Sequence, residues 1–175
     1  MPLIVVKYGA PVLRQKGARI ESITPKIRKL AADMLETVYT YKGVGLAAQQ
    51  VGLPLQLTVI DVRGVTDRPS SLELAGKPAD VDGFMPLVLI NPEVKPVGPP
   101  ATGSEGCLSF PEIYADITRP DVVDVKALVK VVHLEDVLFG LHAQRAAFSP
   151  LLARHVELLV EKYAVPEDVA GESRL

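Results

Sequence analysis

The chain has 175 residues, of which 48% are hydrophobic, and its 19 basic and 21 acidic side chains give a formal net charge of −2. This size favours one domain with one core, and the even mixture of charges excludes the basic stripe of a nucleic-acid-binding protein. A single cysteine excludes an internal disulfide, and no stretch approaches the roughly 20 apolar residues of a membrane span. We therefore expect a single domain over residues 1–175 in the cytoplasm, with residues 166–175 as a flexible tail.

Two elements are predicted in the first quarter of the chain. Residues 3–7 form a short apolar run before a glycine and a proline, which predicts a strand or an extended arm. Thr24 and Pro25 are typical of a helix start, and Gly43 provides a stop. Between them, apolar residues recur at spacings of three and four: Ile27, Leu30, Ala31, Met34, Leu35 and Val38. This pattern predicts one helix with a single buried face.

The middle of the chain predicts strands and one long loop. Residues 55–62 alternate and are rich in β-branched side chains, which indicates a strand. Residues 63–83 are polar and interrupted by glycine and proline, and they predict a surface loop. Residues 87–91 and 122–128 are compact apolar runs that predict two further strands, with a continuation of the sheet over 129–139.

A second helix is predicted late in the chain. Ser149 and Pro150 favour a helix start, apolar residues follow as far as Tyr163, and Pro166 ends the pattern. Together, the predicted elements favour an α+β domain with a mixed or antiparallel sheet packed on two helices.

Two segments contain residue types suited to chemistry. The first is Gly43-Val44-Gly45-Leu46-Ala47-Ala48-Gln49-Gln50. Its glycines permit a close approach of the backbone, and a glutamine amide can donate to a developing oxyanion. By itself, however, the segment is equally typical of a tight turn that leads into packed alanines.

The second segment is Glu105-Gly106-Cys107-Leu108-Ser109. A thiolate is a good ligand for zinc or ferrous iron, and the Leu108 amide would point near the sulfur. The alternative interpretation is a strand that ends in a buried, inert thiol.

Together, these segments resemble the peptide deformylases, metal hydrolases that remove the formyl group from the N-terminal methionine of nascent chains. The similarity extends over residues 5–128, and two further segments follow the family's order: Gly9-Ala10-Pro11-Val12-Leu13-Arg14 and Leu89-Ile90-Asn91-Pro92. The resemblance implies an α+β fold with mixed and antiparallel sheets around a central C-terminal helix and a long N-terminal helix.

The resemblance also implies roles for individual residues. Gln50 would donate from its side chain and Leu108 from its backbone N–H to the oxyanion, while Cys107 would be one ligand of a divalent metal (Fe²⁺, or Zn²⁺, Ni²⁺ or Co²⁺). Substrate would lie against Gly43, Val44, Gly45, Glu105 and Gly106. The implied partner is a formyl-methionyl peptide near the ribosome, with no nucleic-acid or membrane partner.

The family's third motif is a helix with histidines at i and i+4 and a glutamate between them, which complete the metal site. The lead-in Leu151-Leu152-Ala153-Arg154 places Leu158 at the first histidine, Leu159 at the glutamate and Lys162 at the second histidine. His155 and His133 are candidate replacement ligands, although each fits an ordinary histidine as well. Alternatively, the Lys162 ammonium pairs with the Cys107 thiolate.

Two functions are compatible with this pattern, one with a bound metal and one without. The first is a deformylase whose activity is weak or lost if the ligand helix is as aligned. The second is a catalytically inactive homologue that binds a peptide or a partner protein. A third interpretation is that the residues after Leu128 are altered, because the resemblance fades there.

Overall fold

The computed structural model describes residues 1–67, 69–74, 76–131, 145–146 and 156–159. Within them, the helical elements are the 3-10 helices Pro11–Arg14 and Ala48–Val51 and the α-helices α1 (Pro25–Thr40) and α2 (Val81–Phe84). The strands are β1 (Gly45–Ala47), β2 (Leu57–Ile60), β3 (Leu72–Leu74), β4 (Lys77–Ala79), β5 (Leu87–Pro96), β6 (Pro100–Cys107), β7 (Phe110–Pro120), β8 (Val123–Val131), β9 (Arg145–Ala146) and β10 (Val156–Leu159).

Helix α1 confirms the predicted N-terminal helix. The Thr24 hydroxyl accepts a hydrogen bond from the Ile27 N–H at 3.3 Å, and Pro25 occupies the first helical position, where no N–H donor is needed. The buried face contains Met34 and Val38, which are both fully inaccessible to solvent. No helix in the described part of the chain is both long and apolar enough to cross a membrane.

The strands form one mixed sheet and one separate hairpin. The larger sheet has the order β1-β2-β5-β8-β10-β9-β3-β4, in which β10 is parallel to both β8 and β3, whereas β1, β2, β5 and β8 are antiparallel in succession. Strands β6 and β7 pair only with each other in the described chain. This arrangement agrees with the predicted α+β class.

Both faces of the larger sheet are buried at β2 and β5, which follows from the alternation of side chains along these strands. On β2, Leu57 and Val59 pack with Met34 and Val38 of α1 in one hydrophobic cluster, the cluster under α1. Ile60 packs in a second cluster on the other face of the sheet. The predicted strand over 55–62 is therefore correct in type and in its two faces. Its hydrogen-bonded part is shorter, at Leu57–Ile60.

The predicted surface loop over 63–83 is wrong in part, because it contains the hairpin β3–β4 and the short helix α2. Leu72 is 2% exposed and pairs with Ala79, which covers the face of the sheet opposite α1. Asp80 caps α2 by accepting from the N–H groups of Asp82 and Gly83. Strands of three residues are too short to show an alternation of buried and exposed side chains. The glycines and prolines of this segment therefore predicted a loop.

The predicted C-terminal helix is wrong at residues 156–159, which form β10 beside β8 with Val156 opposite Val123. A short apolar run does not distinguish a buried strand from a helix by its periodicity. The rest of that predicted helix and the tail at 166–175 lie outside the described residues. The predicted continuation of the sheet is confirmed through Val131, and residues 132–139 also lie outside the described part. The extent of a single domain over 1–175 stays a prediction.

Residues 3–7 form an extended arm and not a strand of either sheet. The Leu3 N–H donates to the Thr37 hydroxyl at 2.8 Å, and the Val5 side chain is 4% exposed in the cluster under α1. The arm is therefore fixed to the helix and the core without a ladder of hydrogen bonds.

Gly17 lies where two backbone segments meet. A Cβ added to it would lie 2.7 Å from the Leu55 carbonyl carbon and 2.9 Å from the Gln56 amide nitrogen. The segments cannot separate freely, because the Ala18 N–H donates to the Pro54 carbonyl at 2.7 Å. We expect Gly17→Ala to lower the free energy of unfolding by about 1 to 3 kcal/mol, as measured by urea denaturation.

Lys16→Ala provides the control, since the Lys16 side chain is exposed beside the same contact. This variant should stay within about 0.5 kcal/mol of the wild type. Equal stability of the two variants would contradict the proposed backbone clash.

Candidate active site

The first half of the site is built by the turn that follows β1. The 3-10 helix Ala48–Val51 ends at Gly52, whose φ of +83° lies in the left-handed region that favours glycine. The Ala47 N–H donates to Gln50 Oε1 at 2.9 Å, which holds the amide in one orientation. The Gln50 Nε2 group is left to face the second half.

The second half is the turn between β6 and β7. The register shifts between Gly106 and Cys107, and such a bulge redirects the side chain that follows it. Cys107 is a free, exposed cysteine at the end of β6, so the alternative of a buried thiol is wrong. Gln50 Nε2 donates to Cys107 Sγ at 3.6 Å, although 57 residues separate the two in the chain.

Leu108 joins the turn to the core. Its side chain packs against the cluster under α1, and a Cβ added to Gly43 would lie 3.1 Å from Leu108 Cδ1. Within the described chain, no residue accepts a hydrogen bond from the Leu108 N–H. The site therefore presents two donors close to one thiol: the Gln50 side-chain amide and the Leu108 backbone amide.

Two contacts link β6 to β7 just before Cys107. Arg119 donates from Nε and Nη2 to the two carboxylate oxygens of Glu105, at 2.8 and 3.0 Å, and this pairing raises the pKa of Arg119. The ring of Tyr114 lies over Gly106, where an added Cβ would be 2.7 Å from the ring carbon Cε1. A side chain at residue 106 would therefore displace the Tyr114 ring from its present position.

The Gly43–Gly45 segment is positioned by a charged group behind it. The Asp61 N–H donates to the Val44 carbonyl at 2.9 Å, and the Asp61 carboxylate accepts from the Tyr39 hydroxyl at 2.9 Å. Arg63 donates to both carboxylate oxygens of the same aspartate. Burial by itself raises the pKa of Asp61, but the hydrogen bonds from Arg63 and Tyr39 outweigh burial and lower it below 3.8.

This network predicts a pH-dependent contribution to stability. Since the folded pKa of Asp61 is lowered, the contribution is complete above the unfolded value of 3.8 and is lost as pH falls through the folded pKa. Asp61→Asn should be clearly less stable than wild type at pH 7, and the difference should shrink below about pH 4. Urea denaturation between pH 7 and pH 2.5 measures it.

Asp116→Asn is the matched control, because Asp116 is an exposed carboxylate on β7. Its stability difference from wild type should stay near zero over the same pH range. A difference for Asp61→Asn that is constant with pH would contradict the role of the ionised carboxylate.

The described residues contain no group of three or more His, Cys, Asp or Glu side chains that could hold a metal ion. They contribute Cys107 as a single ligand, so by themselves they do not fit a three-ligand metal centre. His133, His142, His155 and Lys162 lie outside the described residues. Leu158 and Leu159, which align with a helical motif, lie in β10.

The structure brings together most of the predicted site residues: Gly43, Val44, Gly45, Gln50, Glu105, Gly106, Cys107 and Leu108. The structure adds five supporting residues that were not predicted from the sequence: Tyr39, Asp61, Arg63, Tyr114 and Arg119. Arg63 lies two residues from Asp61, and this spacing of opposite charges could have predicted their ion pair. The pair of Glu105 and Arg119 is 14 residues apart across a hairpin, so it had no local signal.

Comparison with known proteins gives consistent results. The family model described as "Polypeptide deformylase" matches residues 2–143. A peptide deformylase from Methylacidiphilum infernorum is 52% identical over 126 residues, which cover 72% of this chain and 66% of the relative. Another from Parasynechococcus marenigrum is 45% identical, over 71% of this chain and 55% of the relative. The chain thus spans between about half and two thirds of these relatives.

Solved structures agree with the sequence relatives. A crystal structure of a peptide deformylase from Legionella pneumophila has a TM-score of 0.61 and 31% identity, covering 74% of this chain and 66% of that chain. A plant peptide deformylase has a TM-score of 0.61 and 33% identity, covering 88% of this chain and 71% of that chain. These likenesses confirm the predicted fold class.

Proposed function

Since the chain belongs to the peptide deformylase family, we propose that it hydrolyses the formyl group from the N-terminal formyl-methionine of peptides. The observation that supports this proposal is the hydrogen bond from Gln50 to Cys107, next to the Leu108 N–H, which donates to no other described residue. Two neighbouring hydrogen-bond donors are what the tetrahedral intermediate of a formamide needs when its carbonyl oxygen becomes an anion.

The proposed roles follow from what each group already contacts. Gln50 Oε1 is held by the Ala47 N–H, so Nε2 is oriented before substrate binds and loses little entropy when it donates to the oxyanion. The Leu108 side chain packs against Gly43 and the core, and this packing fixes the position of the Leu108 backbone N–H. Both donors are therefore preorganised by contacts on the side away from the substrate.

We assign the methionyl side of the substrate to the backbones of Gly43–Gly45 and Glu105–Gly106. Absence of a side chain at the glycines lets a peptide approach the main chain closely. The bidentate contact between Glu105 and Arg119 keeps the β6 edge in place while the peptide binds. A formyl-methionyl chain that emerges from the ribosome is the substrate we propose.

Cys107 is the residue we propose as a ligand of a divalent metal, whose chemistry when bound is to activate a water molecule at neutral pH. Its thiol is exposed and accepts a hydrogen bond from Gln50 Nε2. A complete centre needs ligands from outside the described residues, for which His133 and His155 are the candidates.

The second candidate function is a homologue that binds peptide N-termini without hydrolysis. One observation favours it: Leu158 and Leu159, aligned with a histidine and the glutamate of the family's third motif, lie on a strand. In that case, the same site residues would hold a methionyl peptide, and the two donors would bind its carbonyl oxygen without turnover.

A paired experiment separates the two functions. Metal content and turnover of formyl-Met-Ala-Ser are measured on one preparation of the full chain, with acetyl-Met-Ala-Ser as the control substrate. Stoichiometric metal with selective release of formate supports the hydrolase. Metal-free protein that binds Met-Ala-Ser in calorimetry but releases no formate supports the binding protein and eliminates the hydrolase.

A further inference from the structure

We propose that residues 6–8, where the extended arm runs into the turn at Tyr8, form a positioning segment, which sets the spacing between the Gln50 donor and the Leu108 donor. This inference rests on the proposed function, because it assigns the arm to the same oxyanion-binding pair. The arm touches both halves of the site, although neither half lies near it in the chain.

The contacts of the arm reach both halves of the site, one contact to the first half and two to the second. The Val6 N–H donates to the Gln50 carbonyl at 2.9 Å, and the Tyr8 N–H donates to the Ser109 carbonyl at 2.9 Å. Between them, Lys7 Nζ donates to the Leu108 carbonyl at 3.2 Å. Three consecutive residues thus bond to the main chain of both donor-bearing segments.

The spacing follows from the geometry of an extended chain. In an extended chain, N–H groups two residues apart point to the same side and lie about 6.6 Å apart, and the N–H groups of Val6 and Tyr8 are two residues apart. One donates to the segment of Gln50, and the other to the turn that follows Leu108. A change in this arm would therefore move the two donors relative to each other.

The arm is itself fixed at both ends, as a spacer must be. At one end the Val5 side chain is 4% exposed in the core. At the other, the Tyr8 ring lies against the Phe110 ring, with centroids 4.5 Å apart, and Arg14 stacks over Tyr8 and donates to its hydroxyl. The tyrosine therefore links the arm to β7 as well as to the turn.

A spacer is needed here because the two halves belong to different sheets. Cys107 and Leu108 follow β6, which pairs only with β7 among the described strands, whereas Gln50 follows β1 of the larger sheet. Among the described residues, no ladder of hydrogen bonds therefore sets their relative position. Two donors that share one oxygen need placement to a fraction of an ångström.

The test removes single N–H groups from the full chain. Val6→Pro deletes the donor to Gln50, Val6→Ala keeps it, and Ile4→Pro places proline in an exposed part of the arm. No described residue accepts a hydrogen bond from the Ile4 N–H, whose side chain is 84% exposed. Lys7→Met deletes the contact to Leu108 without any change to the backbone.

Three quantities are measured for each variant: amide hydrogen exchange of fragments 46–52 and 104–111, the alkylation rate of Cys107 by iodoacetamide at one pH, and kcat and KM. Val6→Pro should speed exchange in both fragments by about 10-fold while α1 is unchanged. It should lower kcat by about 10-fold or more with little change in KM. Ile4→Pro and Val6→Ala should match the wild type.

Each outcome decides the proposal. Folded Val6→Pro with wild-type exchange, alkylation and kcat overturns it, and so does an equal effect of Ile4→Pro. If Val6→Pro fails to fold, Lys7→Met decides, with an expected change of about 3-fold in alkylation rate and an unchanged rate as the contrary result. If the wild type releases no formate, the proposed hydrolysis fails, whereas exchange and alkylation still test the arm.

Discussion

Gln50→Glu is expected to lower kcat for formyl-Met-Ala-Ser by about 10²- to 10³-fold, the usual cost of one oxyanion donor. The substitution keeps an oxygen that can accept from the Ala47 N–H, so the turn should stay folded. It replaces the Nε2 donor by an acceptor and adds a negative charge where the oxyanion would form. Initial rates of formate release over a range of substrate concentrations measure the effect on kcat and KM separately.

Gln49→Glu is the matched control, because it adds the same charge one residue away. No described residue bonds to the Gln49 side chain. This variant should keep kcat within about 3-fold of the wild type. If both variants lose activity equally, charge near the site explains the loss, and the donor role of Gln50 is wrong.

Asn91→Ala is expected to lower the free energy of unfolding by about 2 to 6 kcal/mol, since it leaves two buried backbone groups of Ile20 without partners. Asn91 Oδ1 accepts from the Ile20 N–H at 2.8 Å, and Nδ2 donates to the Ile20 carbonyl at 2.9 Å. The asparagine is 7% exposed, so water does not readily replace these bonds. Urea denaturation at pH 7 gives the measurement.

Asn91→Gly separates the contribution of the asparagine side-chain hydrogen bonds from that of its left-handed backbone conformation. Asn91 has a φ of +53°, which glycine adopts without strain and alanine does not. The glycine variant should lose the same hydrogen bonds but be more stable than the alanine variant by about 1 to 2 kcal/mol. Alanine stability within about 0.5 kcal/mol of wild type would contradict the account of buried, unpaired groups.

The fold could be predicted from the sequence where one element contains its own signal. Helix α1 has a capping threonine, a proline at its first position and a continuous apolar face, and all three were found in the structure. Strand β2 has alternating apolar side chains on two buried faces. By contrast, Leu72 was not recognised as a core residue, because its strand has three residues and its burial depends on β4 and on the sheet.

The candidate site was likewise predictable only in part. The residue types of Gln50 and Cys107 and the backbone amide of Leu108 indicate oxyanion and metal-ligand chemistry, and resemblance to a family supplies their roles. Their supporting contacts could not be predicted. Asp61 holds Val44 through a backbone bond, and Tyr8 holds Ser109 in the same way, and such bonds leave no trace in side-chain identity.

The sequence by itself determined that this protein has α1 with its buried face, the alternating β2 and the two glycine-containing segments of a peptide deformylase. These features depend on local propensity and on spacing within one segment. Only the tertiary structure decided that Gln50 Nε2 meets Cys107 Sγ at 3.6 Å, that residues 6–8 bridge the two halves, and that residues 156–159 form a strand. The physical reason is that contacts between distant segments are chosen by packing and by the pairing of buried backbone groups over the whole chain.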